Sequence, residues 1–279
     1  MDESSTTSRP GGTPWSIDEI PFHNIDRDEI PTDRQVFYML ASASFVEITS
    51  NLYTGNLVAF YRGDDEVTQW LSERWEAEEL QHGAALKRYV QTAWPEFDWE
   101  AGYRNFFAEY SRCCAVDLLA ATPALEMAAR CVVETGTATF YRAVSDMTDE
   151  PVLKQLTAHI STDEVRHFKN FYHFYLRHHE REGNSRFAVL RTLWARATEV
   201  DVEDALLAFK HVYLIMNPGA EFASDAYDAF RTGVGKLAKH YYPYDMATRM
   251  ILKPLELSPP VTRMIVPPIV SAARLLFLR

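Results

Sequence analysis

Apolar residues recur three and four positions apart along much of the chain, which is the period of an amphipathic helix. The first such stretch is predicted as helix A, at about 33–62. Valine and isoleucine do not alternate with polar residues as they do in half-buried strands, so helix is predicted throughout. The apolar positions that define helix A are Val36, Leu40, Phe45, Ile48, Leu52, Leu57 and Phe60.

Turn-forming segments divide the remaining pattern into further helices. The sequence RGDDE precedes a predicted helix B, and SDMTDEP separates two long helices, C and D. Shorter helices are predicted after the segment REGNS, with breaks at NPG and at Pro243. The predicted ranges are helix B at about 66–92, a polar helix near 103–112, helix C at about 115–146, helix D at about 151–181, and shorter helices within 186–253.

Two long helical hairpins, A with B and C with D, are the layout of a four-helix bundle with one long connection. We therefore predict an all-α fold with a ferritin-like four-helix bundle at 32–182. Residues 1–31 are polar and rich in turn formers at their start, and we expect a disordered arm there. Residues 183–279 are predicted to be additional helices that pack on the bundle and end in a basic segment.

Charge and composition exclude several classes of function. The net charge of −11 argues against a nucleic-acid-binding surface. Residues 231–279 carry eight Lys or Arg and two acids, so this segment is +6 and the rest of the chain is −17. The apolar C-terminal tail is interrupted by prolines and an arginine, and it is too short for a membrane span. Three cysteines without a disulfide or zinc spacing, and no secretory signal, lead us to expect a cytoplasmic protein.

The candidate chemistry begins with a repeated Glu-x-x-His spacing on two predicted helices. Glu79 and His82 lie near the middle of helix B, and Glu164 and His167 lie near the middle of helix D. Residues three apart share one face of a helix. Of the nine histidines, only these two follow a glutamate by three positions. Each pair therefore aims a carboxylate and an imidazole in one direction.

The partner helices supply a glutamate at the same depth. In an antiparallel hairpin, two residues lie at one level when their numbers average to the centre of the turn, because both helices rise by the same amount per residue. Glu47 and Glu79 average to 63, and Glu134 and Glu164 average to 149; both averages fall in the predicted turns. Glu126, the competing glutamate of helix C, averages with Glu164 to 145, inside the helical run.

Four carboxylates and two imidazoles at one level predict a dinuclear metal site. Buried carboxylates would repel one another without compensating cations. Oxygen ligands with a few imidazoles suit iron or manganese, whereas zinc sites favour Cys and His. Two bridging carboxylates can hold two irons close enough to act on one dioxygen. The predicted ligands are Glu47, Glu79, His82, Glu134, Glu164 and His167.

Two neighbouring residues complete this prediction. Thr137 follows Glu134 by about one turn and is expected to face the same site, and Asp163 is a candidate hydrogen-bond partner for a ligand histidine. In the alternative interpretation, the glutamates lie on a solvent-exposed helix face, because helix B is rich in charged residues. Glu47 argues against it because its neighbours in SFVEITSNLY are uncharged.

Three segments resemble the soluble acyl-carrier-protein desaturases. EAEELQHGAALKRYV is similar to the second ligand helix of that family, ETGTATF to the third and STDEVRHF to the fourth, within about 36–182. The resemblance implies a diiron centre on the six ligands above, with Thr137 beside the oxygen-binding position. It also implies insertion of a double bond into an acyl chain on a carrier protein, with dioxygen and electrons from a ferredoxin-type donor, and a homodimer. The chain departs from the family at Gln81, where a basic residue is common, and after residue 182.

Several functions stay open at this point. A diiron oxidase of acyl substrates is the first, and a related diiron oxygenase that hydroxylates, N-oxygenates or cleaves aldehydes is the second. An iron-storage or ferroxidase protein and a metal-free helical interaction protein are the others. Carrier protein and ferredoxin are acidic, so they would dock on the basic C-terminal region. Its cations are Lys236, Lys239, Arg249, Lys253, Arg263, Arg274 and Arg279.

Overall fold

The computed structural model describes residues 14–30, 34–112, 119–199 and 204–276. Twelve α-helices account for most of these residues, and no strand occurs among them, so the chain is all-helical over the described ranges. None of the described helices has the length and apolar character to cross a bilayer. The helices are α1 (Arg34–Glu47), α2 (Ser50–Phe60), α3 (Asp65–Trp70), α4 (Glu76–Ala93), α5 (Trp99–Tyr110), α6 (Pro123–Met147), α7 (Pro151–Glu182), α8 (Arg186–Glu199), α9 (Asp204–Met216), α10 (Ser224–Tyr241), α11 (Tyr244–Leu252) and α12 (Pro259–Leu276).

The second hairpin consists of α6 and α7, which pack along most of their length. The Ser161 hydroxyl donates to the Ala138 carbonyl at 2.8 Å, and the Ser145 hydroxyl donates to the Lys154 carbonyl at 3.2 Å. Each pair averages to 149.5, so the two helices are antiparallel about the predicted turn. Helix α7 begins where the Glu150 side chain accepts from the first free amides and ends at a left-handed Gly183 (φ 63°).

Helix C starts later than predicted. Residues 115–118 lie outside the described ranges, and α6 begins at Pro123 rather than at 115. The reason is local: Thr122 is an extended N-cap whose side chain accepts from the Leu125 amide, and Pro123 occupies the first helical position.

The first hairpin pairs α1 and α2 with a second helical run, and the single helix A of the prediction is wrong. Helix α1 ends at Glu47, and α2 begins at Ser50. The Thr49 hydroxyl donates to the Val46 carbonyl at 2.7 Å and to the Phe45 carbonyl at 3.1 Å, so a side chain competes for the carbonyls at the break. The returning run comprises α3, a π-helical stretch at Leu71–Trp75 and α4.

Two apolar clusters fill the interior. One lies on each side of the level at which the two hairpins bring buried polar residues together. Along α6, one cluster includes Val132 and the other includes Tyr141; along α7, they include Phe168 and Ile160 respectively. Between these positions lie buried polar residues of both helices, Glu134, Thr135, Thr139, Asp163, Glu164 and His167. Helices α5 and α9 cover α1, while α8, α10 and α11 contact α6.

The segment 14–30 packs on the first hairpin, which differs from the expected disordered arm. It contributes four buried apolar residues to the core, Trp15, Ile20, Phe22 and Ile30. Residues 1–13 and 31 of the expected arm lie outside the described ranges. The apolar residues of this segment are sparse, so they form no periodic pattern that would signal packing.

Candidate metal centre

All six predicted ligands are brought to one buried level between the apolar clusters. Their exposed fractions are between 0% and 7%. They form two groups of four, and the ligand atoms within each group lie within 4.8 Å of one another. The groups share two carboxylates, Glu79 and Glu164. The first group is Glu47, Glu79, His82 and Glu164, and the second is Glu79, Glu134, Glu164 and His167.

The atoms that face the centre of the cluster suit a pair of cations. His82 Nδ1 lies 3.1 Å from Glu164 Oε1, and His167 Nδ1 lies 3.0 Å from Glu79 Oε1. Both Nδ1 atoms, Glu134 Oε2 and Glu164 Oε1 are buried and make no well-directed hydrogen bond. Buried polar atoms without a hydrogen bond are rare, and an absent ion is one explanation of them. The donor set of four carboxylates and two imidazoles therefore fits two divalent metal ions.

A second carboxylate orients each histidine from behind. His82 Nε2 lies 3.1 Å from Asp163 Oδ2, as the sequence analysis expected for Asp163. His167 Nε2 lies 2.7 Å from Glu78 Oε2. The pairing is crossed, because the acid that precedes the ligand glutamate in one motif contacts the histidine of the other. Such contacts leave each Nδ1 directed at the centre of the cluster.

Arg166 and Trp15 complete this outer layer. The Arg166 guanidinium donates to Glu78 at 2.7 Å and lies 2.9 Å from Asp163, so it links both backing acids. The Trp15 indole donates to Asp163 Oδ2 at 2.7 Å and stacks on the His82 ring. The segment 14–30 therefore reaches the site through the Trp15 side chain.

Two hydroxyl groups of α6 touch the ligands themselves. Thr137 Oγ1 donates to Glu164 Oε2 at 2.8 Å, so Thr137 faces the site as predicted. Tyr141 Oη donates to Glu47 Oε1 at 2.5 Å. Gly136, between Glu134 and Thr137 on the same helix, is exposed, and a Cβ there would meet no atom within 4 Å.

Burial and neighbouring charges shift the pKa values of the clustered side chains. Burial opposes a charged imidazole, yet the carboxylates of Asp163 and Glu164 beside the ring outweigh it and raise the pKa of His82 to about 10. Burial, together with the charge of Glu164, raises the pKa of Glu134 to about 8. Burial disfavours the Glu164 carboxylate too, but the His167 and His82 rings beside it hold its pKa well below the usual range. Metal binding must therefore displace protons from this cluster.

Sequence reasoning missed Tyr141, Glu78, Arg166 and Trp15. A signal existed for Glu78, because both Glu-x-x-His motifs are preceded by an acid, Glu78 in one and Asp163 in the other. The contacts of Tyr141 and Trp15 join elements far apart in the chain, and no local spacing reveals them.

Comparison with known proteins adds no relative. No protein-family model, no curated protein and no solved structure matches the chain. The resemblance of the three segments to the desaturases stays a prediction.

Proposed function

We propose that this protein is a non-haem diiron oxidase built on a ferritin-like four-helix bundle. The observation that carries the proposal is the pair of four-residue ligand groups that share Glu79 and Glu164. Two divalent ions would balance the four carboxylates in formal charge, and shared carboxylates would place the ions side by side. Two such irons, when bound, supply the reduction of dioxygen and the oxidation of a substrate C–H bond.

The residues of the chain have distinct parts in this proposal. Glu47 and His82 would bind one ion, and Glu134 and His167 would bind the other. Asp163 and Glu78 hold the imidazoles in their metal-binding orientation, as their 3.1 Å and 2.7 Å contacts support. The apolar clusters above and below exclude water, which strengthens every charge interaction at the site. Thr137, whose hydroxyl donates a hydrogen bond to Glu164, is our candidate for a catalytic hydroxyl beside the dioxygen.

For the substrate we propose an acyl chain, carried on an acyl carrier protein and desaturated with electrons from a ferredoxin-type donor. The support is the resemblance of the three ligand segments and the basic residues of α10–α12. Lys236, Arg263 and Arg274 are exposed on these helices, where an acidic carrier or donor could dock. A ferritin-like oxygenase of a small molecule, which hydroxylates, N-oxygenates or cleaves aldehydes, is the alternative.

Product analysis separates these two chemistries. Iron-loaded protein would be incubated with acyl-carrier-protein thioesters, a ferredoxin reducing system and ¹⁸O₂, and the products identified by mass spectrometry. Desaturation removes two hydrogens and leaves no label in the acyl chain, whereas oxygenation incorporates ¹⁸O. Turnover of no thioester, with oxygenation of a free small molecule instead, would overturn the carrier-bound acyl substrate. A Glu164→Ala variant controls for background oxidation because it lacks a shared ligand.

A further inference from the structure

The two ligand groups resemble each other in how their histidines are backed. Each contains a histidine backed by a buried acid, and both groups share Glu79 and Glu164. Trp15 adds a contact to the first group only, because its indole donates to Asp163 and stacks on the His82 ring. The carboxylates that belong to a single group, Glu47 and Glu134, are held differently.

Glu47 is fixed by a buried phenol. Tyr141 is 1% exposed, and its hydroxyl lies 2.5 Å from Glu47 Oε1. The ring belongs to the apolar cluster that contains Ile160, and it packs edge-on against Phe140. A bulky ring in a packed core cannot follow a moving carboxylate without disturbing its neighbours. One oxygen of Glu47 is thereby committed to the phenol, which fixes the orientation of the carboxylate.

Glu134 has no such anchor within the described residues. Its Oε2 lies 3.4 Å from His167 Nδ1 and makes no well-directed hydrogen bond. No hydroxyl of the described part of the chain donates to its carboxylate. Tyr141 lies seven residues after Glu134, which is about two turns, or roughly 10.5 Å, along α6. Helix α6 thus supplies a ligand to one group and the anchor for the ligand of the other.

We infer that the two metal positions are unequal, that the Glu47–His82 position is the tighter one and fills first, and that Tyr141 is the positioning residue responsible. The inference rests on the proposed dinuclear site. An anchored carboxylate loses less conformational freedom when it binds a metal, so its position has the higher affinity. The unanchored Glu134 stays able to change its orientation at the second position.

The test is an anaerobic ferrous titration of wild type, Tyr141→Phe and Tyr89→Phe. Tyr89 is a matched control, because it is buried and its hydroxyl donates to Glu150 at 2.9 Å, outside the ligand groups. In wild type we expect two binding steps of unequal affinity. In Tyr141→Phe the tighter step should weaken by about tenfold or more, as is typical for loss of a group that orients a ligand. The weaker step, and both steps of Tyr89→Phe, should be unchanged.

Mössbauer spectra of ⁵⁷Fe(II) samples identify the position that fills first, even if Tyr141→Phe does not fold. At one iron per chain, wild type should show mainly one ferrous doublet; Glu134→Ala should keep that doublet and Glu47→Ala should lose it. Equal affinities in wild type, unchanged binding by Tyr141→Phe, or equal weakening of both steps would overturn the inference. Failure of wild type to bind iron would instead overturn the proposed function.

Discussion

At the scale of single residues, Glu79 and Glu164 differ from the other candidate ligands because each belongs to both groups. Their positions were predictable from the sequence, since a three-residue spacing and a shared level in a hairpin depend only on local helix geometry. Tyr141 was not predictable in this way. Its bond to Glu47 joins positions 94 residues apart, and only the packed structure brings them together.

Proton competition at the site leads to a prediction about pH. His82 and Glu134 have pKa values of about 10 and about 8 in the metal-free protein, so both hold protons at neutral pH. Ferrous ions must displace these protons, and we expect iron affinity to rise between about pH 6 and pH 8. Anaerobic titrations across this range would measure it. An affinity that falls over the same interval would show that these groups are not the ligands.

The same raised pKa values determine how metal-free stability depends on pH. Both groups bind protons more tightly when folded than at their ordinary values of 6.5 and 4.5. Stability from Glu134 is therefore lost as pH rises from about 4.5 through 8, and stability from His82 is lost as pH rises from about 6.5 through 10. The Tm of metal-free protein should fall from pH 6 to pH 9. The low pKa of Glu164 acts only at acid pH, outside this window.

At the scale of helices, the predicted bounds agree with the structure where the capping and turn residues are next to the helix ends in the sequence. Helix D was predicted at 151–181 and is observed at Pro151–Glu182, because Pro151 and Gly183 mark its ends. Helix A was not predicted to break. Its break depends on the Thr49 hydroxyl and on the approach of α4, and neither changes the apolar period of the segment.

The approach of α4 to this break predicts a strong effect of a single methyl group. A Cβ added at Gly83 would lie 2.5 Å from the Ile48 backbone nitrogen, whereas one added at Gly136 would meet nothing within 4 Å. Gly83→Ala should destabilise the protein by about 1–3 kcal/mol or more. Gly136→Ala should stabilise it by about 1 kcal/mol through helix propensity. Urea unfolding of both variants tests the pair, and equal effects would refute the close contact at Gly83.

Alanine substitutions of two tryptophans test the packing of residues 14–30. Trp15 is 4% exposed and donates to Asp163, while Trp194 is 71% exposed on α8. Trp15→Ala should cost about 3–5 kcal/mol of unfolding free energy, the range for a buried tryptophan. Trp194→Ala should change it by less than about 0.5 kcal/mol. If Trp15→Ala had the smaller effect, the segment would be the disordered arm that its composition predicts.

At the scale of the whole molecule, two hairpins converge on one polar layer between two apolar clusters. The all-helical class followed from the apolar period, and the convergence of the ligands followed from their equal depth. The position of α5 and α8–α12 around the hairpins could not be derived, because it depends on contacts between distant surfaces. The charge of this outer region, by contrast, was readable directly from its composition.

The central claim is that the six converging side chains bind two irons. Iron content, measured on wild type, Glu79→Ala and Glu164→Ala after anaerobic ferrous reconstitution, tests it most directly. The control is Glu73→Ala, because Glu73 is exposed. Glu150 is unsuitable as a control because its side chain caps α7. We predict about two irons per chain in wild type and Glu73→Ala, and loss of both irons when either shared carboxylate is removed. Wild type that takes up no iron would contradict the account.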